Sequence, residues 1–206
     1  MIPQYINLDH RTDRRKCIEN EFQKMNIDIY KRFSAIHNSE NGAIGCSMSH
    51  IKVLESSTED YTWVCEDDIE FKVDKETLNA IIKEFVESDA DILCLGYASR
   101  NDKPYSSLLR RSYDLQTTSS YIVKKKFQKI LHDFWKSVLE SQLTNTEHSS
   151  KTIFNSLNVC KGDYYSIDMS WKVLQQSFKF VIPYQRCIIQ RESYSDITKS
   201  YENYGC

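Results

Sequence analysis

Three consecutive carboxylates, Glu66-Asp67-Asp68, follow the apolar run Tyr61 to Cys65 directly, with Glu70 two residues further on. A short apolar run of this kind reads as a buried strand, and ligand sites in open α/β sheets lie beyond the carboxyl ends of strands. Strand alternation sends Glu66 and Asp68 to one side and Asp67 to the other. Two carboxylates converging there repel each other unless a cation sits between them. Hard oxygen ligands of this type suit Mn²⁺ or Mg²⁺, completed by phosphate oxygens of a substrate. The plainer alternative is an acidic turn that ends the strand and caps the next element.

Three other stretches place polar residues where a sheet could present them to a ligand. Asn7-Leu8-Asp9-His10-Arg11-Thr12-Asp13-Arg14-Arg15 is a polar, basic loop after the first strand. Taken alone it is a helix N-terminus with solvated arginines; beside an acidic cation site, Arg11 and Arg14 could grip the phosphate or base of a nucleotide. Gly42 to His50 sets small residues at the opening turn of a helix, which permits close approach, while a lone helical His50 reads first as a hydrogen-bonded structural group. In Asp163 to Trp171, Asp168 stands where a helix begins. Capping is its simplest role, and acting as a base is the other, although the helix dipole favours the weakly basic ionised form. The run Lys124-Lys125-Lys126 reads as a solvated helix face, and Trp135 and Trp171 as core.

The elements that must hold these groups alternate in type. Pro3 to Leu8 reads as a strand, followed by a helix capped by Asp9 or Thr12 and running to Met25. Asp28 to Ala35 is a second strand, Ala43 to Ser57 a helix and Tyr61 to Cys65 a third strand. Leu78, Ile81, Ile82 and Phe85 give Lys75 to Glu87 a helical period. Asp91 to Gly96 has the continuous apolar character of a buried strand, and Tyr97 to Ser107 reads as a mobile loop. Strand-like pieces at Leu109 to Leu115 and Ser120 to Val123 precede a long helix striped by Phe127, Ile130, Leu131, Phe134 and Val138. The stretch Glu140 to Asn158 shows no clear pattern. A short helix over Ile167 to Gln176 and strands at Phe178 to Ile182 and Cys187 to Ile189 complete the order. This pattern predicts one α/β domain over residues 1–206, with a mainly parallel sheet, a mixed edge and flanking helices.

Composition narrows the use of that fold. Among 206 residues there are five glycines, far below the usual share of roughly 7%, and neither G-x-G nor G-x-x-x-x-G-K occurs. A Rossmann fingerprint and a P-loop are therefore excluded, so a phosphorylated ligand needs another neutralising device. With 27 basic and 29 acidic residues, a strongly basic nucleic-acid-binding face is disfavoured. Seven cysteines without a C-x-x-C pair read as reduced thiols, and no apolar run has the length of a membrane span. The expected compartment is the cytoplasm. The polar tail from Tyr194 to Cys206 ends without a closing element, which leaves room for a longer chain of which this is the N-terminal domain.

In their order the stretches resemble glycosyltransferase family 25, the lipopolysaccharide and collagen galactosyltransferase group. The pieces carrying the resemblance are Tyr5-Ile6-Asn7-Leu8 with Arg11 and Arg14, Gly42 to His50 with its G-C-x-x-S-H core, and Val64-Cys65-Glu66-Asp67-Asp68. They continue with Ser119-Ser120-Tyr121-Ile122-Val123, Ile167-Asp168-Met169-Ser170-Trp171, and Gln190 to Ile197. The resemblance looks like that of a virus-encoded or bacterial member, which would place it in the host cytoplasm if viral. It implies a GT-A fold with a donor part over about residues 1–100 and an acceptor part over about 101–206. It further implies Mn²⁺ or Mg²⁺ on Glu66 and Asp68, with Asn7, Leu8, Arg11, Gly45, Ser49, His50 and Asp67 beside the nucleotide. Asp168 is the implied acceptor-activating base. The implied reaction moves a hexose from a UDP-sugar such as UDP-glucose or UDP-galactose to a glycan or glycoprotein hydroxyl, with inversion. Two other readings stay open: a non-catalytic glycan-binding domain of the same fold, and a nucleotidyltransferase, although the latter usually has a glycine-rich or strongly basic phosphate loop.

Overall fold

The computed structural model describes residues 1–151, 153, 165–197 and 199–202. Asp163, Tyr164, Cys160, Cys206 and most of the end of the Glu140 to Asn158 stretch lie outside the described residues. Eight strands form the main sheet, in the order β2-β1-β3-β8-β5-β9-β7-β6. They are β1 (Pro3–Asn7), β2 (Lys31–Ser34), β3 (Tyr61–Glu66), β5 (Ile92–Ser99), β6 (Asp102–Pro104), β7 (Leu109–Ser112), β8 (Leu115–Lys124) and β9 (Phe180–Pro183). β1 runs parallel to both β2 and β3, and β5 runs parallel to β9. β8 lies antiparallel between β3 and β5, and β7 is antiparallel to β9 and β6. Six of the eight strands therefore point the same way, the mainly parallel but mixed sheet that the alternation of elements predicts.

Helices cover both faces because the strands are apolar on both sides. In β3, Trp63 and Cys65 join the core under α1 (Thr12–Lys24) and α3 (Lys75–Glu87), whereas Val64 joins the core under α2 (Gly42–Ser56) and α4 (Lys125–Leu143). Buried Leu78, Ile81 and Phe85 give α3 its inner face, and its N-cap Asp74 accepts from the Thr77 amide. On α4, Phe127, Leu131, Trp135 and Val138 recur at spacings of three and four and are all buried. Each such side chain contributes roughly 1.5–3 kcal/mol through apolar burial. Trp135 stacks on Trp171 with centroids 5.9 Å apart and donates its indole N–H to the Ile167 carbonyl at 3.1 Å. That contact ties α4 to the short helix α5 (Ile167–Ser170), which carries Asp168.

Four local expectations change. The helix expected over Ile167 to Gln176 breaks at Trp171 into α5 and α6 (Lys172–Gln175). Neither Asp9 nor Thr12 caps α1; its N-cap is Arg11, without a side-chain bond, and Asp9 instead accepts from Arg32 and Ser34 across the loop. The segment from Tyr97 to Ser107 is no loose loop, because β5 continues to Ser99 and β6 pairs with β7. Lys124 is not solvated: it is buried, lies 4.9 Å over the Phe85 ring and donates to the carbonyls of Val86 and Ser88. Its charge meets carbonyl dipoles at a helix end, where a cation is favoured.

Four small strands finish the fold on the side where β3 ends. β10 (Ile188–Gln190) pairs antiparallel with β4 (Ile69–Phe71), and β11 (Ser193–Ser195) forms a hairpin with β12 (Ser200–Glu202). α2 begins at Asn41, whose side chain accepts from the amides of Ala43 and Ile44. Its next turn packs on the preceding loop: a Cβ at Gly45 would overlap the Ile36 carbonyl oxygen. Ser49 fastens the same contact, accepting from the Ile36 amide at 2.8 Å and donating to the Gly45 carbonyl at 2.7 Å. Gly45→Ala is expected to lower stability by about 1–3 kcal/mol through this backbone overlap, read as a drop in thermal unfolding midpoint; an unchanged midpoint contradicts the packing.

Candidate active site

The carboxyl ends of β1 and β3 lie side by side, with Ile6 opposite Glu66, and a cleft of about 580 Å³ opens there. That volume suits a small-molecule ligand. Glu66, Asp67 and Asp68 all line it, as do Asn7, Leu8, Ser49, His50 and Asp168. The structure thus brings together side chains from β1, α2, β3 and α5 that are far apart in the chain. Arg11 and Gly45 are not part of the lining: Gly45 packs on Ile36, and Arg11 is held by Asp13 and Asp196.

Strand alternation does not extend through the acidic triplet, because β3 ends at Glu66 and a turn begins. Asp67 and Asp68 consequently meet the same guanidinium. Arg14 Nη1 lies 2.9 Å from Asp67 Oδ1 and 3.3 Å from Asp68 Oδ2. Its other terminal nitrogen donates to Ser193 Oγ and the Tyr194 carbonyl at 2.6 and 2.9 Å, fastening the returning segment to α1. Asp67 Oδ2 accepts from Asn7 Nδ2 at 2.7 Å, and Asn7 Oδ1 accepts from Arg32. Both oxygens of Asp67 are therefore bonded within the protein.

Asp68 differs. Its Oδ1 is buried and has no hydrogen-bond partner, and burial, reinforced by the charge of Glu66, pushes its carboxyl up to about 7 despite Arg14. Burial likewise raises the Asp67 carboxyl, with Arg14 and Asn7 opposing it. An orphaned carboxylate oxygen in a cleft costs stability unless a cation or donor reaches it. The residues present fit a hard divalent ion at this point.

Glu66 faces the opposite wall. It accepts from Thr118 Oγ1 at 3.0 Å and from Gln190 Nε2 at 3.3 Å, and its Oε1 lies 3.5 Å from His50 Nε2. Burial pulls its carboxyl up, but His50, Thr118 and Arg14 outweigh that and hold it below the ordinary carboxylate range. Thr117, next along β8, adopts a φ of 79° and donates to Gln190 at 3.0 Å. A positive φ at a β-branched residue is strained backbone, of the kind that clusters at functional sites. Thr118, Gln190 and Cys46 also line the cleft; Cys46 and Gln190 lie within the Gly42 to His50 and Gln190 to Ile197 pieces without a role assigned to them, and Thr118 immediately precedes the Ser119 to Val123 piece. The Ser119 to Val123 and Gln190 to Ile197 pieces were the available signal, since both flank the groups that reach the cleft.

The fold is an α/β one whose cleft opens at the carboxyl ends of β1 and β3. Residues 40–201 match the family described as "Glycosyltransferase family 25 (LPS biosynthesis protein)", and the chain belongs to glycosyltransferase family 25. A protein of Acanthamoeba polyphaga mimivirus, "Putative glycosyltransferase", is 33% identical over 138 residues. The match covers 55% of this chain and 42% of that one, so the chain spans under half the length of this relative. Among solved structures, a glycosyltransferase involved in the glycosylation of the major capsid of PBCV-1 is 12% identical, with 94% of this chain and 93% of that one covered and a TM-score of 0.49. Among the described residues no helix is long and apolar enough to cross a membrane.

The raised Asp68 carboxyl fixes the sign of one pH effect. Between about pH 4 and pH 7 the folded chain keeps a proton on Asp68 that the unfolded chain has lost. The folded state then binds more protons, so its stability falls as pH rises through that window. With divalent cations chelated, the stability difference between the unaltered protein and Asp68→Asn is expected to shift against the unaltered protein as pH rises from about 4 to about 7; a difference that stays constant over that range contradicts the assignment.

Proposed function

We propose that this chain transfers a hexose from a UDP-sugar of the UDP-glucose or UDP-galactose type to a hydroxyl of a glycan or glycoprotein, with Mn²⁺ or Mg²⁺ at the acidic end of β3. The observation that carries this reading is the buried, unpartnered Asp68 Oδ1 in a cleft at the carboxyl ends of β1 and β3. Family membership supplies the reaction class. Asp68, with Glu66 beside it, would hold the ion, which when bound neutralises charge developing on the departing diphosphate.

The protein's own groups do the rest. Arg14 keeps a fixed positive charge beside Asp67 and Asp68, so the wall that meets a diphosphate is less negative than three carboxylates alone would make it. Asn7 holds Asp67 in place and keeps that wall rigid. Asp168 lines the same cleft from α5, where a carboxylate can accept the proton of an acceptor hydroxyl as it attacks the anomeric carbon. Attack from the face opposite the leaving group gives inversion, as in single-displacement glycoside chemistry.

Thermal unfolding with UDP-glucose or UDP-galactose, with and without Mn²⁺, tests the reading. Saturating donor at about a hundred times its Kd should stabilise the fold by about 2.7 kcal/mol, only when Mn²⁺ is present, and Asp68→Asn should abolish the effect. Asp168→Asn should keep donor binding while slowing transfer, or slow hydrolysis to UDP, by roughly 10²–10⁴-fold. Stabilisation by nucleoside triphosphates in place of UDP-sugars would point to nucleotidyl transfer, and glycan binding without UDP release to a non-catalytic domain; either result overturns the proposal.

A further inference from the structure

Cys46 and His50 stand four residues apart on α2, so their side chains leave the same face of the helix. That face meets the end of β3. Cys46 Sγ, a ring nitrogen of His50 and a carboxylate oxygen of Glu66 all lie within 4.8 Å of one another. His50 Nε2 is 3.5 Å from Glu66 Oε1, about the ligand-to-ligand spacing around a tetrahedral ion with bonds of roughly 2.0–2.2 Å.

His50 is fully buried, and its Nε2 has no hydrogen-bond partner; the approach to Glu66 is too long to serve as one. The other ring nitrogen is accounted for. Nδ1 lies 3.1 Å from Tyr121 Oη, and the two rings stack 5.8 Å apart at 21°. When the ring is neutral and Nδ1–H donates to Tyr121, Nε2 offers a bare lone pair beside Glu66, and a cation bound there takes over the support that a protonated ring gives the Glu66 carboxylate. This is how a group outside the coordination sphere orients a metal-bound imidazole.

We propose that Cys46, His50 and Glu66 form a binding site for a thiophilic divalent cation of the zinc class, with a fourth position open to the cleft. Thiolate, imidazole and carboxylate make a softer donor set than the oxygens at Asp68, and it selects Zn²⁺ over Mn²⁺ or Mg²⁺. Three protein ligands with an open position match chemically active zinc sites more closely than closed structural ones. Binding forms a sulfur–metal bond and releases the Cys46 thiol proton to solvent, with no change of oxidation state. All three residues line the cleft, so an ion can enter without unfolding. The site shares Glu66 with the proposed Mn²⁺ or Mg²⁺ position but takes its other two ligands, Cys46 and His50, from α2 and not from Asp68, so removing Cys46 tests it without touching Asp68.

Titration of the reduced protein with Co²⁺ tests it. The expected result is one bound Co²⁺ that gives a thiolate-to-cobalt charge-transfer band, displaced by Zn²⁺ and not by Mg²⁺. Cys46→Ser should lose the band, while Cys17→Ser, at the other thiol left partly exposed among the described residues, should keep it. No band in the unaltered protein, or a band persisting in Cys46→Ser, overturns the proposal. Should Cys46→Ser fail to fold, iodoacetamide labelling of the unaltered protein decides: Zn²⁺, and not Mn²⁺, should protect Cys46, and equal labelling with and without Zn²⁺ overturns the site.

Discussion

Three carboxylates share the end of one buried strand, and a single guanidinium, Arg14, reaches two of them. Unit charges about 4 Å apart interact by about 4 kcal/mol at the effective dielectric of a protein surface, and by more where water is excluded. Such a cluster cannot fold as three bare anions. Each carboxylate is stabilised differently: Asp67 by Arg14 and Asn7, Glu66 by Thr118, Gln190 and His50, and Asp68 by little besides a share of Arg14. Much of the architecture around the cleft follows from supplying those partners, which come from β1, α1, α2, β8 and β10.

The same demand explains the return of the chain near its described end. Arg14 donates to Ser193 and Tyr194, and Arg11 to Tyr194 and Asp196. The Arg191 amide donates to the Asp68 carbonyl at 2.7 Å. Arg14, which balances the acidic triplet, therefore also holds a wall of the cleft in place, with Arg11 fastening the same segment. Asp68 is left with one free oxygen, and it is there that the site is short of positive charge.

Much of this arrangement was legible in the residues themselves. The order of strands and helices, the buried faces of α3 and α4 and the acidic stop after Cys65 follow from local periodicity. What escaped local reading depends on pairings distant in the chain. Nothing in residues 115–124 says that β8 inserts antiparallel between β3 and β5, yet that insertion brings Thr118 to Glu66. Alternation through Glu66, Asp67 and Asp68 failed because a turn starts where the strand stops. Asp9 reads as a helix cap and Arg11 as a nucleotide contact, whereas the structure pairs them with residues of other segments, Arg32 and Asp196. Lys124 resembled its solvated neighbours until its position over Phe85 was known.

Under the proposed function, the unpartnered oxygen of Asp68 marks where a cation and a nucleoside diphosphate meet this fold. A crystal structure grown with UDP and Mn²⁺, with anomalous scattering used to locate the metal, tests it most directly. The account predicts an anomalous peak bonded to Asp68 Oδ1, with the diphosphate in the cleft between β1, α2 and β3. A structure with UDP bound elsewhere, or in the cleft with Asp68 Oδ1 still without a ligand, contradicts it.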